Sequence, residues 1–281
     1  MNDFLIGVFF SQKFKYRFLQ FSQLGYIYDV WYEEYHYILK VYPSRLSRER
    51  EEKMLRDLSM HHISTANIYA SKDIFLLLEY LEDSIVDTDS RDRKASKSIL
   101  ALHAVGNDAE MFGYYYDTPL GKILQKNEQT HRAWGIFLTY MRLLPVTKMC
   151  YDLKILSKKE KDSIALLCRY LYRYIDIKNI TPSLLHGDIW SGNIRINQEG
   201  AFLIDPALYF GDKEMDLAYI LLRDTFGKTF FTLYQEVYPL DKDFYRIRLP
   251  LYQLYPLLVH CLLGDLYYLP RIREILKQLK I

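Results

Sequence analysis

Cysteine is scarce in this chain. Three residues, Cys150, Cys168 and Cys261, are spread along 281 positions. An odd count without close spacing excludes a disulfide framework and gives no ligand pattern for structural zinc. The three read as thiols buried in helices, and a reducing cytoplasm suits them. Excess charge is missing too. The 37 Lys and Arg against 35 Asp and Glu leave a formal +2, which offers no basic surface to a nucleic acid. No apolar run approaches the ~20 residues of a membrane span. Phe4 to Phe10 is apolar, but Asp3 precedes it where a targeting signal would be basic, and no small-residue cleavage site follows. Internal repeats and low-complexity linkers are absent. The expectation is a soluble, cytoplasmic protein with no membrane or nucleic-acid partner.

Core material is plentiful. Half of the residues are hydrophobic and 16% aromatic, including 26 Tyr, which excludes disorder. The length suits one two-lobed body. Residues 1–81 read as strands with one helix. Tyr26 to Tyr42 has the composition of a hairpin. In its second half Tyr37, Leu39 and Val41 face one way, and Ile38, Lys40 and Tyr42 the other. A helix is predicted from Ser47 to Met60, with Met54, Leu55 and Leu58 on one face. Ile74 to Glu79 reads as a buried strand ending on a charge. Residues 82–281 read as mainly helical. Asp83 to Lys97 is expected to be a polar loop leading into a helix with Leu100, Leu102 and His103. Helical spacing recurs at Trp134, Phe137, Leu138 and Met141, and again from Ile164 to Ile175, where Ser157 and Glu160 form a capping box. A hairpin of Ile194–Ile196 and Phe202–Ile204 turns at Glu199-Gly200. The expected class is α+β, a protein-kinase-like two-lobed fold with a small β-rich lobe (1–81) and a larger helical lobe (82–281).

One stretch carries chemistry: Leu184-Leu185-His186-Gly187-Asp188-Ile189-Trp190-Ser191-Gly192-Asn193, then Phe202-Leu203-Ile204-Asp205. Phosphoryl transfer asks for positioning and charge neutralisation. Asp188 can orient an acceptor hydroxyl and take its proton. Asn193, five residues on, matches the H-x-D-x-x-x-x-N spacing of kinases, and Asp205 ends an apolar strand. Asn193 and Asp205 offer hard oxygens to magnesium. Four specified residues in one window arise by chance with a frequency of roughly 10⁻³ over this length. Lys40, in an otherwise apolar strand, needs a partner. Glu51 is the first candidate, with Glu52 and Glu49 as alternatives around the same helix. Glu79, at the end of its strand, joins Lys40 and Glu51 as a candidate nucleotide-binding residue.

These residues resemble the fructosamine kinases (ketosamine-3-kinases), relatives of aminoglycoside phosphotransferases and choline kinases. The resemblance rests on the His186–Asn193 loop with its Trp190-Ser191-Gly192. It extends to Ile204-Asp205-Pro206-Ala207 and to Gly211-Asp212-Lys213-Glu214-Met215-Asp216-Leu217-Ala218. Further matches are Phe112-Gly113-Tyr114, Gln125-Lys126-Asn127, Arg142 and the block from Leu251 to His260. It implies ATP as donor and magnesium as cofactor. Asp188 would be the catalytic base, Asn193 and Asp205 the magnesium ligands, and Lys40, held by Glu51, the phosphate lysine. The acceptor would be the 3-hydroxyl of a free or protein-bound ketosamine, and the outcome repair of glycated amines. Trp190 could stack on the acceptor or pack into the helical lobe. Asp216 is expected to cap a helix and buttress the loop, and His186 to bond loop backbone. One departure stands out. Where the family pairs glycines over the nucleotide, this chain has Leu24-Gly25, so only Gly25 lets backbone amides approach phosphate closely. Two other readings remain: a kinase for an aminoglycoside, choline or similar amine, and an inactive pseudokinase that only binds.

Overall fold

The first part of the chain folds into a five-stranded antiparallel sheet. In this computed structural model, residues 14–22, 25–85, 87–129, 131–175 and 180–279 are described; Phe4 to Phe10 and Leu24 lie outside them. Strands β1 (Lys15–Ser22), β2 (Gly25–Tyr32), β3 (Tyr35–Val41), β4 (Ile68–Lys72) and β5 (Phe75–Glu79) pair in the order β1-β2-β3-β5-β4. The β2–β3 hairpin turns at Glu33-Glu34, and its register sets Ile27 opposite Lys40. Alternation along β3 sorts the two faces. Leu39, with Tyr37 and Val41, joins Tyr28, Val30 and Phe75 on one side. Ile38 and Tyr42 join Leu55, Leu76 and Leu78 on the other.

Helix α1 (Arg45–Met60) covers that second face. Ser44 caps it, its Oγ accepting from Ser47 N at 3.2 Å, so the helix opens two residues before the predicted start. Arg48, Glu51, Met54, Leu55 and Leu58 are buried along one stripe. Leu55 packs on the sheet, whereas Met54 and Leu58 belong to the core of the following lobe. The helix thus ties both parts together. Each of the buried apolar side chains contributes about 1.5–3 kcal/mol.

Helix α2 (Thr88–His103) begins well inside the stretch expected to be a polar loop. Asp87 caps it, accepting from Ser90 N at 2.8 Å. Its periodicity is hidden because Asp92 and Ser96 sit on the buried face with Ala95, Ile99 and Leu102. Asp92 is there to accept from Gly227 N (3.0 Å) and Phe230 N (3.1 Å), which fixes the start of a later helix. Strands β6 (Thr118–Leu120) and β7 (Ile123–Gln125) form a small hairpin. Helix α3 (Trp134–Phe137) runs through a π-helical stretch, Leu138–Leu143, into α4 (Leu144–Asp152). Helix α5 (Lys158–Arg169) carries the predicted capping box. It stops short of Ile175, and a 3-10 turn at Leu171–Arg173 returns Leu171 and Ile175 to the core. All three cysteines are buried and unpaired with one another.

Strand β8 (Ser183–Leu185) leads into the His186 loop. Strands β9 (Ile194–Ile196) and β10 (Ala201–Leu203) follow as the predicted hairpin, and β11 (Tyr209–Gly211) pairs back onto β8. Helices α6 (Glu214–Leu222), α7 (Lys228–Val237), α8 (Leu249–Leu262) and α9 (Leu269–Gln278) complete the chain. Leu184, Leu203, Phe210, Leu217 and Leu254 share one core. Among the described residues, no helix is long and apolar enough to cross a membrane.

Candidate active site

A cleft of about 1010 Å³ lies between the sheet and the helices. Its upper wall comes from β1–β3 and its lower wall from the His186 loop, Asp205, α6 and α8. Lys40, Glu51, Asp188, Asn193 and Asp205 all line it.

Lys40 Nζ donates to Glu51 Oε1 at 2.6 Å and to Asp205 Oδ1. Of the three glutamates considered, Glu51 is the partner. Glu52 is engaged by Arg48 and Arg56, and Glu49 by Arg45. Burial opposes the charge on Lys40, but Asp205 and Glu51 outweigh it and hold the ammonium above the usual lysine value. Burial likewise penalises Asp205, and Lys40 overcomes it, so this carboxyl lies below its usual range. Burial raises the Glu51 carboxyl in spite of Lys40.

The loop is held from below by Asp216. Its carboxylate accepts from His186 N (2.8 Å) and Gly187 N (3.0 Å), and contacts His103 Nε2 at 3.3 Å. The buttress expected of Asp216 is present; the helix cap is not. Asp216 sits within the first turn of α6, and Asp212 Oδ1 accepts from Glu214 N at 3.1 Å instead. His186 is fully buried. Its Nε2 bonds Ile204 O at 3.0 Å and its Nδ1 accepts from Asp188 N at 3.3 Å. Both nitrogens therefore serve the loop backbone. Gly187 adopts φ +79, and a Cβ there would lie 2.4 Å from Ala207 O, so the tight turn before Asp188 requires glycine. Asp205 also holds a positive φ of 53°, a left-handed conformation that aspartate tolerates better than most residues.

Asn193 Nδ2 donates to Asp188 O (2.8 Å) and Asp188 Oδ2 (2.9 Å). This fixes the Asp188 side chain and leaves Asn193 Oδ1 as the oxygen available to a cation. Burial pushes Asp188 up to about 7, with hydrogen bonds from Tyr219 and Asn193 pulling the other way. Two protein oxygens, on Asn193 and Asp205, suit magnesium, which keeps several waters and binds phosphate oxygens for the rest. No group of three or more His, Cys, Asp or Glu poised for a metal occurs among the described residues.

Gly25 stands in the upper wall at φ +137, where a Cβ would fall 2.0 Å from Val41 O. Glu79 reaches the cleft edge, but its carboxylate accepts from Asn67 N (3.1 Å) and Nδ2 (2.9 Å). Trp190 lines the cleft and packs across Gly192, where a Cβ would meet its ring at 2.4 Å. The Arg223 guanidinium lies 4.7 Å from the Trp190 ring centre. Trp190 thus combines packing within the lobe with a place in the cleft wall.

Two wall residues, Tyr219 and Arg223, escaped the sequence reading, and His260 entered it only as part of a matching block. Tyr219 Oη sits 3.2 Å from His260 Nε2 and its hydroxyl helps to pull the Asp188 carboxyl down. Arg223 and His260 stand beside it. Tyr219 and Arg223 follow Asp216 by three and seven residues, one face of α6, and that spacing was the available signal.

Comparison with known proteins agrees with this geometry. A family model described as fructosamine kinase matches residues 32–281. A protein of Enterococcus faecium named a probable ketoamine kinase is 32% identical over 239 residues, 82% of this chain and 83% of that protein. The crystal structure of a protein from Haemophilus somnus, provisionally named a fructosamine-3-kinase, superposes with a TM-score of 0.80 at 25% identity, over 98% of this chain and 94% of that one. The ADP-bound aminoglycoside phosphotransferase APH(2'')-Ib superposes at 0.68 with 17% identity, over 98% of this chain and 96% of that one, a likeness of fold. The expected kinase-like α+β fold is therefore present. With the family model covering residues 32–281 and the Enterococcus faecium relative matched over 83% of its length, the chain belongs to the fructosamine kinase family.

Proposed function

We propose that this chain is an ATP- and magnesium-dependent kinase that phosphorylates a sugar hydroxyl, the 3-hydroxyl, of ketosamine adducts, as a step in the repair of glycated amines. The observation that carries this reading is the meeting of Lys40, Glu51 and Asp205 with Asp188 and Asn193 across one cleft. Nucleotide under the Gly25 turn would set its phosphates against Lys40, which Glu51 holds in place. Glu79, its carboxylate engaged by Asn67, would contribute through the main chain that follows it. Magnesium on Asn193 and Asp205 would neutralise charge on the phosphates. Asp188, fixed by Asn193, orients the acceptor hydroxyl and takes its proton. Trp190 forms part of the acceptor wall.

A polycationic acceptor is disfavoured by charge. The cleft face of α6 and α8 presents one carboxylate, Asp216, and it is buried under the loop. Between Thr229 and Ile281 the acidic residues are few, namely Glu236, Asp241, Asp243, Asp265 and Glu274, and Asp241, Asp243 and Glu274 are each paired with an arginine. The test is ATP consumption with ribulose-lysine, fructose-lysine and kanamycin in parallel, with Asp188→Asn as control. Turnover of the ketosamines and not of kanamycin is expected. Turnover of kanamycin alone refutes the reading, and binding of ATP without any turnover makes the chain a pseudokinase.

A further inference from the structure

Arg223 is the unusual charge of the acceptor wall. It lies half-buried where α6 ends, over the Trp190 ring at 4.7 Å. Its hydrogen-bond partner is neutral: Nη1 donates to Tyr268 Oη at 3.0 Å. No carboxylate pairs with it among the described residues. Of the other cleft arginines and lysine, two meet carboxylates and one, like Arg223, meets only neutral groups. Arg17 pairs with Asp29, and Lys40 with Glu51 and Asp205. Arg195 directs Nη1 to the carbonyls of Gly192 and Ile194. A guanidinium has five N–H donors, so Arg223 keeps several after Tyr268 is served. The C-terminal end of α6 favours a cation there without neutralising it. Burial and, after it, the Arg223 charge push the His260 imidazole down, and the same charge weakly opposes the rise that burial gives Asp188.

We propose that Arg223 is a specificity residue that recognises an anionic group on the acceptor, a carboxylate or a phosphate. This rests on the phosphotransfer reading above and narrows its substrate class. An arginine fork matches the two oxygens of either anion. Trp190 and Tyr268 hold the fork in the wall of the cleft that Asp188 also lines, so one acceptor molecule can present its hydroxyl to Asp188 and its anion to Arg223. A carboxylate would come from the amine portion, as in an adduct on the α-amine of a free amino acid. A phosphate would come from the far end of the sugar chain.

The experiment compares paired acceptors on one enzyme preparation. Fructosyl-glycine is set against fructosyl-glycinamide, and ribulosyl-propylamine 5-phosphate against ribulosyl-propylamine. The ratio of kcat/KM within a pair cancels differences in folded fraction between variants. The wild type should favour the anionic member of one pair by about tenfold or more, the effect of one charge-assisted hydrogen bond. The pair that shows it identifies the anion. Arg223→Met should bring that ratio close to one, and Arg223→Lys should keep part of it. Equal rates within both pairs on the wild type, or a preference that survives Arg223→Met, overturn the proposal while leaving ketosamine phosphorylation standing. No turnover of any of the four acceptors overturns the phosphotransfer reading and this proposal with it.

Discussion

Replacing Asp188 by Asn should abolish phosphoryl transfer and yet stabilise the protein, increasingly so as pH rises. Burial pushes this carboxyl from its ordinary 3.8 to about 7. The native state therefore keeps the proton while the unfolded chain has already released it. The sign follows: the ionised carboxylate penalises the folded state fully above pH 7, progressively less as pH falls, and not at all below 3.8. The difference in acidity corresponds to a ceiling of about 4 kcal/mol. Asp188 opens onto a cleft that admits water, which halves this to about 2 kcal/mol. The amide keeps an oxygen for Asn193 Nδ2, so that bond survives. Thermal unfolding of both forms at pH 5 and pH 8.5 is the assay. The Tm advantage of the Asp188→Asn variant should widen by about 2–4 °C between them for a chain of this size. Phosphoryl transfer by the variant should fall by at least about 10²-fold, the contribution of a positioned base. A variant less stable than wild type at pH 8.5, or an advantage that shrinks with rising pH, refutes the reasoning about the buried carboxylate.

Three further outcomes follow from the same geometry. The pH profile of kcat/KM should rise through an apparent pKa near 7 and level off above it, since the role proposed for Asp188 requires its ionised form; a profile flat from pH 5.5 to 8.5 contradicts that role. Lys40→Met leaves Glu51 and Asp205 as unpaired carboxylates, so denaturant unfolding should show a loss of about 3 kcal/mol, alongside weakened ATP binding measured by calorimetry. Asp216→Asn turns an acceptor of two backbone N–H groups into a partial donor. It should lower kcat more than it raises the KM for ATP, and cost about 1–3 kcal/mol in stability.

The site was more legible than the framework around it. His186, Asp188, Asn193 and Asp205 sit on one loop and one hairpin, so their sequence spacing nearly fixes their geometry. Lys40 could be placed because β3 alternates cleanly. Its partner was uncertain among Glu49, Glu51 and Glu52 until the Arg45, Arg48 and Arg56 ion pairs were seen, all contacts along the helix itself. Helix α2 was obscured because its buried face carries Asp92 and Ser96, and the partners of Asp92 lie about 135 residues downstream at Gly227 and Phe230. Tyr219 and Arg223 were hidden differently. A tyrosine and an arginine on an apolar helix carry no motif, and they matter only because α6 turns that face toward Asp188.

The most direct test is phosphorus NMR of fructose-lysine incubated with ATP, magnesium and the protein. The account predicts a new phosphomonoester on the sugar 3-oxygen, formed only with magnesium present and absent with Asp188→Asn. Transfer to another position, or persistence of the signal in the Asp188→Asn variant, would contradict it.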